Sequence, residues 1–79
     1  MIQATITAKQ LLEVCEKAAP EIMERARRTS SAPQTGVCND HLNLCTKLHR
    51  FASFIIEVNG SGHFVTVTEE LSILLAYLP

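Results

Sequence analysis

The chain has 79 residues, of which 47% are hydrophobic and 19% charged, and its formal net charge is −1. That length gives room for a single domain, 1–79, and the composition is too apolar for intrinsic disorder. The near-zero charge speaks against nucleic acid, whose binders carry a basic excess, and no apolar run approaches the ~18 residues of a membrane span.

A domain this small buries only about 60–65% of its unfolded surface, so it commonly leans on a disulfide, a metal or a second subunit. The three cysteines, Cys15, Cys38 and Cys45, are odd in number and do not space as a disulfide framework. With no signal-peptide pattern at the start, the expectation is reduced thiols in a cytoplasmic protein.

In chain order, "MIQATI" alternates apolar and polar residues and predicts a short extended segment at 2–6. Thr7 and Gln10 form a capping box for a first helix, and Ile6 with Leu11 can staple its start. Its apolar stripe is Leu11, Cys15, Ala18, Ile22 and Ala26. Pro20 lies inside that stripe and predicts a kink or a split near Ala19. Glu13, Glu16, Glu21 and Glu24 read as its polar face, and Arg25, Arg27 and Arg28 complement the dipole at its end. The same three arginines are the candidates for an anion or nucleic-acid contact.

"TSSAPQTG" predicts an inter-helix loop over 29–37, after which Asn39 or Asp40 caps a second helix. The stripe Leu44, Leu48, Phe51, Ile55, Val58 runs through it with heptad spacing, and "NG" at 59–60 ends it. A competing reading pairs 54–58 with 63–67 as a β-hairpin around the same Asn-Gly turn. "HFVTV" is extended on either reading and could pair with the first extended segment. Thr66 or Thr68 then starts a last helix, "EELSILLAYLP". The fold class is mainly α, a small three-helix domain with short extended segments; the alternative is α+β with the hairpin at 54–67.

Cys38, His41, Cys45 and His49 raise the question of a metal or a reactive thiol. On a helix, residues four apart can share a zinc ion, but His41 and His49 stand about 12 Å apart. Cys38 could swing in beside His41 and Cys45, yet a closed site lacks a fourth ligand unless Cys15 or His63 supplies it. Cys45 also has imidazoles one turn away on each side, without a visible orienting group or oxyanion hole. The expectation is therefore no cofactor, no metal and no enzyme: Cys45 is a small buried residue and His49 lies on a solvated face. The last helix is apolar on nearly every side, so Leu71, Leu74, Leu75, Tyr77 and Leu78 become candidates for a partner interface. A homodimer, or binding to another protein as a regulator or inhibitor, follows as the expected role. A zinc- or nucleic-acid-binding regulator built on Cys38, His41, Cys45 and Arg25 to Arg28 is the alternative.

Overall fold

A computed structural model describes residues 3–28 and 32–78. The elements run β1 (Gln3–Thr7), α1 (Ala8–Arg28), α2 (Ala32–Asn59), β2 (Phe64–Thr68) and α3 (Glu70–Leu75). Three helices and a small two-stranded sheet make the domain mainly α. Its long dimension, 41 Å, is close to the length of the 28-residue α2 at about 1.5 Å per residue.

The start of α1 is doubly secured. The Thr7 amide donates to Gln10 Oε1 (3.2 Å) and the Gln10 amide to Thr7 Oγ1 (3.1 Å), which completes the capping box. The next two amides, of Ala8 and Lys9, donate to the carbonyls of His63 and Ser61 at 2.9 and 3.2 Å. The turn after α2 thus serves first-turn donors that α1 cannot satisfy itself. Ala8, Leu11, Cys15, Ala18 and Ile22 form the buried stripe. The predicted split near Ala19 does not occur, and α1 is one helix. Pro20 is exposed, where water can serve the Glu16 carbonyl that the proline cannot.

The second helix differs from its predicted form at both ends of the argument. It begins at Ala32, so 32–37 are helical, and the remainder of the predicted loop, 29–31, lies outside the described residues. The reason is local: Pro33 falls in the first turn, where its missing N–H costs no helical bond. Asn39 and Asp40 are consequently interior residues and not caps. The core face is also rotated. Cys38, Cys45, Leu48 and Ala52 are buried, while Phe51, Phe54 and Val58 stand exposed. Leu44 and Ile55 of the predicted stripe still pack against the core at its edge, while the phenylalanines point away.

Asn59 ends α2, and Gly60 takes φ 94° while its amide donates to the Ile56 carbonyl at 3.0 Å. The alternative hairpin at 54–67 is overturned, because 54–59 are helical and β2 pairs with β1 instead. The pairing is antiparallel, with Ala4 opposite Val67 and Ile6 opposite Val65 on the inner face. Thr5 opposite Thr66 and Thr7 opposite Phe64 form the outer face.

The last helix starts later than the threonine signals suggest, since Thr66 and Thr68 belong to β2 and Glu69 is the N-cap. The Thr68 hydroxyl donates to Glu70 Oε2 at 2.7 Å. Glu70's own amide and that hydroxyl hold its carboxyl below the usual range. Leu71, Leu74 and Tyr77 turn inward, whereas Leu75 is 46% exposed.

Two glycines on the same helix give opposite expectations. Gly36, exposed inside α2 with open space at its Cβ position, should gain about 0.5–1 kcal/mol on Gly36→Ala. Gly60→Ala, at positive φ, should lose about 1 kcal/mol despite equally open surroundings. Urea unfolding of both variants checks the pair.

Candidate functional site

Three clusters gather the chemistry-bearing side chains, and α1 contributes to each. The first lies at the α1–α2 seam. Cys45 Sγ donates to the Cys15 carbonyl at 3.0 Å, and the two thiols lie against each other. Burial, then the neighbouring Cys45, pushes the Cys15 thiol up to about 12; burial also raises Cys45. All three cysteines are free thiols and buried. One turn on, His49 Nε2 lies 3.5 Å from Glu16 Oε1. Cys45, His49 and Glu16 share one wall of a groove of about 710 Å³ between the helices, along with Pro20, Met23 and Arg50. The order thiol, imidazole, carboxylate resembles a nucleophilic triad in composition only. The Cys45 thiol is committed to a carbonyl, its proton is held by burial, and no hydrogen bond joins it to His49 among the described residues.

The second cluster centres on Tyr77. His41 Nδ1 and the Tyr77 hydroxyl are 2.6 Å apart, and their rings meet edge to face with centroids 5.5 Å apart. The Arg25 guanidinium sits 4.5 Å from the centre of the Tyr77 ring, a cation–π contact. Burial raises the phenol, with Cys38 adding to the rise and Arg25 opposing it. Residues of α1, α2 and the C-terminal turn therefore meet on one aromatic ring. Tyr77, Leu71 and Leu74, expected at a partner interface, are core residues here; Leu75 and the half-buried Leu78 remain at the surface.

The third cluster is the arginine end of α1. Arg25 Nε and Arg28 Nη2 each lie 3.3 Å from Glu21 Oε1, and Arg27 Nη2 lies 3.5 Å from Glu24 Oε2. Arg28 Nε adds a 3.7 Å contact to Glu24 Oε1. Carboxylates of the same helix thus offset the positive charge that an anion or nucleic acid would seek. At this exposure each pair is worth only ~0.3–0.5 kcal/mol.

Cys38, His41, Cys45 and His49 are distributed among these clusters and do not converge. His41 turns to Tyr77, His49 to Glu16 and Cys45 to Cys15. Among the described residues no group of three His, Cys, Asp or Glu side chains could hold a metal ion. No helix there is long and apolar enough to cross a membrane.

What remains is an apolar surface, of which the sequence pattern assigned Phe51 and Val58 to the core. Phe51, Phe54 and Val58, at spacings of one helical turn, are 41%, 59% and 60% exposed. Phe54 lay outside the predicted stripe altogether; the signal that finds it is the smallness of Cys38, Cys45 and Ala52, which marks them as the close-packed side. No family model, no curated protein and no solved structure matches this chain.

The Tyr77 cluster makes a direct expectation. Tyr77→Phe, losing the His41 contact, should cost about 1 kcal/mol, and Tyr77→Ala about 3–5 kcal/mol, in thermal or urea unfolding. A second expectation concerns pH. The Cys15 thiol keeps its proton up to about 12 in the folded chain, against 9.0 for an unperturbed thiol. Between those values the unfolded chain binds fewer protons, so stability must fall as pH rises from 9.0 toward 12. Cys15→Ala should flatten that decline in a pH series of unfolding curves.

Proposed function

We propose that this chain is a small non-enzymatic protein-interaction module that acts by self-association, with the outer face of α2 as its contact surface. The observation that carries the reading is the exposed row Phe51, Phe54, Val58 on a helix whose opposite face is already buried. Aromatic and aliphatic side chains in water on consecutive turns are stabilised by covering, and helix-on-helix packing covers such a row. Phenylalanine adds a large apolar area with little rotamer freedom to lose, which suits the centre of an interface. The small domain gives a second reason, since association buries area that one short chain cannot.

The three clusters support the reading by what their groups are already doing. Burial raises the Cys15 and Cys45 thiols, the arginines face carboxylates on their own helix, and His41 and His49 each have a neighbour. Regulation or inhibition of another protein would proceed through the same surface.

Sedimentation of the whole chain with Phe54→Glu tests the proposal. The wild-type chain should sediment as a dimer at concentrations on the order of 100 μM, and the variant as a monomer. The variant should keep its helical circular dichroism, because Phe54 is outside the core. A wild-type monomer, or a Phe54→Glu chain that dimerises as well as wild type, would overturn the assignment of this face.

A further inference from the structure

The outer face of α2 carries more than an apolar row, and its charges specify how a second copy would lie on it. Lys47, Phe51, Phe54 and Val58 follow one another at spacings of four, three and four, the seam spacing of a coiled coil. In that frame Arg50 and Glu57 are seven residues apart and flank the seam on the same side. The opposite flank is Leu48 and Ile55, which pack toward the chain's own core. Arg50 and Glu57 are both exposed, and neither takes part in an ion pair among the described residues.

We infer that two copies of this chain pair through α2 in antiparallel register, about a two-fold axis lying between Phe51 and Phe54. This rests on the reading above that the outer face of α2 is the contact surface. In the antiparallel arrangement equivalent flanks meet each other, so Arg50 of one copy faces Glu57 of the second, and the symmetry repeats the pair. The four phenylalanines stack as two central layers, Phe51 on Phe54 and Phe54 on Phe51. At each end Lys47 lays its aliphatic stem on Val58 of the second copy, with the ammonium beside Glu57. A parallel pairing instead sets each charged flank against the Leu48 and Ile55 side, leaving Arg50 and Glu57 without partners. Charge position therefore selects the orientation, while the phenylalanines supply the attraction. The contact is isologous and closes at two chains.

Charge reversal separates this register from self-association of any other kind. Arg50→Glu and Glu57→Lys each set like charges against each other twice in the dimer, and each should weaken it about tenfold in sedimentation equilibrium. The double variant R50E/E57K restores opposite charges across the axis and should return to within about threefold of wild type. All three should keep wild-type circular dichroism, since both positions are exposed. If the single reversals leave a Phe54-dependent dimer unchanged, or the double variant is weaker than either single, the antiparallel register is wrong although the contact face stands. If the wild-type chain is a monomer, the self-association reading fails with it.

Discussion

The seam between α1 and α2 mixes small side chains with Leu11, Ile22 and Leu48, and much of the molecule follows from that. Ala8, Cys15 and Ala18 on one helix meet a face of the other that carries Cys38, Cys45 and Ala52. Small residues let two backbones approach, and Leu11, Ile22 and Leu48 fill the space beside them. One consequence is the fate of the larger residues on α2. With the inner face taken by Cys38, Cys45, Leu48 and Ala52, Phe51, Phe54 and Val58 are turned to the outside. Another is the fate of the thiols: Cys15 and Cys45 act as packing atoms at the seam, and their protons are retained because a thiolate there would be desolvated.

Around this seam the remaining elements act as fastenings. The turn at 60–63 uses two carbonyls to cap the first amides of α1, tying the far end of α2 to the start of the chain. The β1–β2 ribbon lays Ile6, Val65 and Val67 on the core. Tyr77 closes the other end, its ring under Arg25 and its hydroxyl against His41. Leu71 and Leu74 bring α3 with it. A polar group with a partner on each contacting element resists sliding in a way that an apolar side chain does not.

The parts of this architecture that could be read from the sequence are those encoded locally. The capping box at Thr7 and Gln10, the α1 stripe, the end of α2 at Asn59 and Gly60, and the two extended pieces themselves all have short-range signals. The rest depends on a neighbour, except the start of α2, whose signal is local. Pro33 and Gly36 resemble loop punctuation until the helix is seen to accept a proline in its first turn. Of the stripe Leu44, Leu48, Phe51, Ile55, Val58, Leu48 is buried and Leu44 and Ile55 pack on the core, and only the position of α1 turns Phe51 and Val58 out. The last helix was taken as apolar all round, yet its six residues rotate Leu71 and Leu74 inward and leave Leu75 out. For the histidines, four-residue spacing permits joint ligation without requiring it, and the long-range partners Tyr77 and Glu16 decide where each ring points.

The account's central claim is that α2 has two working faces, one packed within the chain and the other against a second copy. Isotope-filtered nuclear Overhauser spectroscopy on a mixture of labelled and unlabelled chains measures this directly, because it reports only contacts between molecules. The account expects cross-peaks joining the Phe51 ring of one chain to the Phe54 ring of the other, with none from Cys15 or Ala18. Intermolecular contacts arising from the α1 side, or none at all in a concentrated sample, would contradict it.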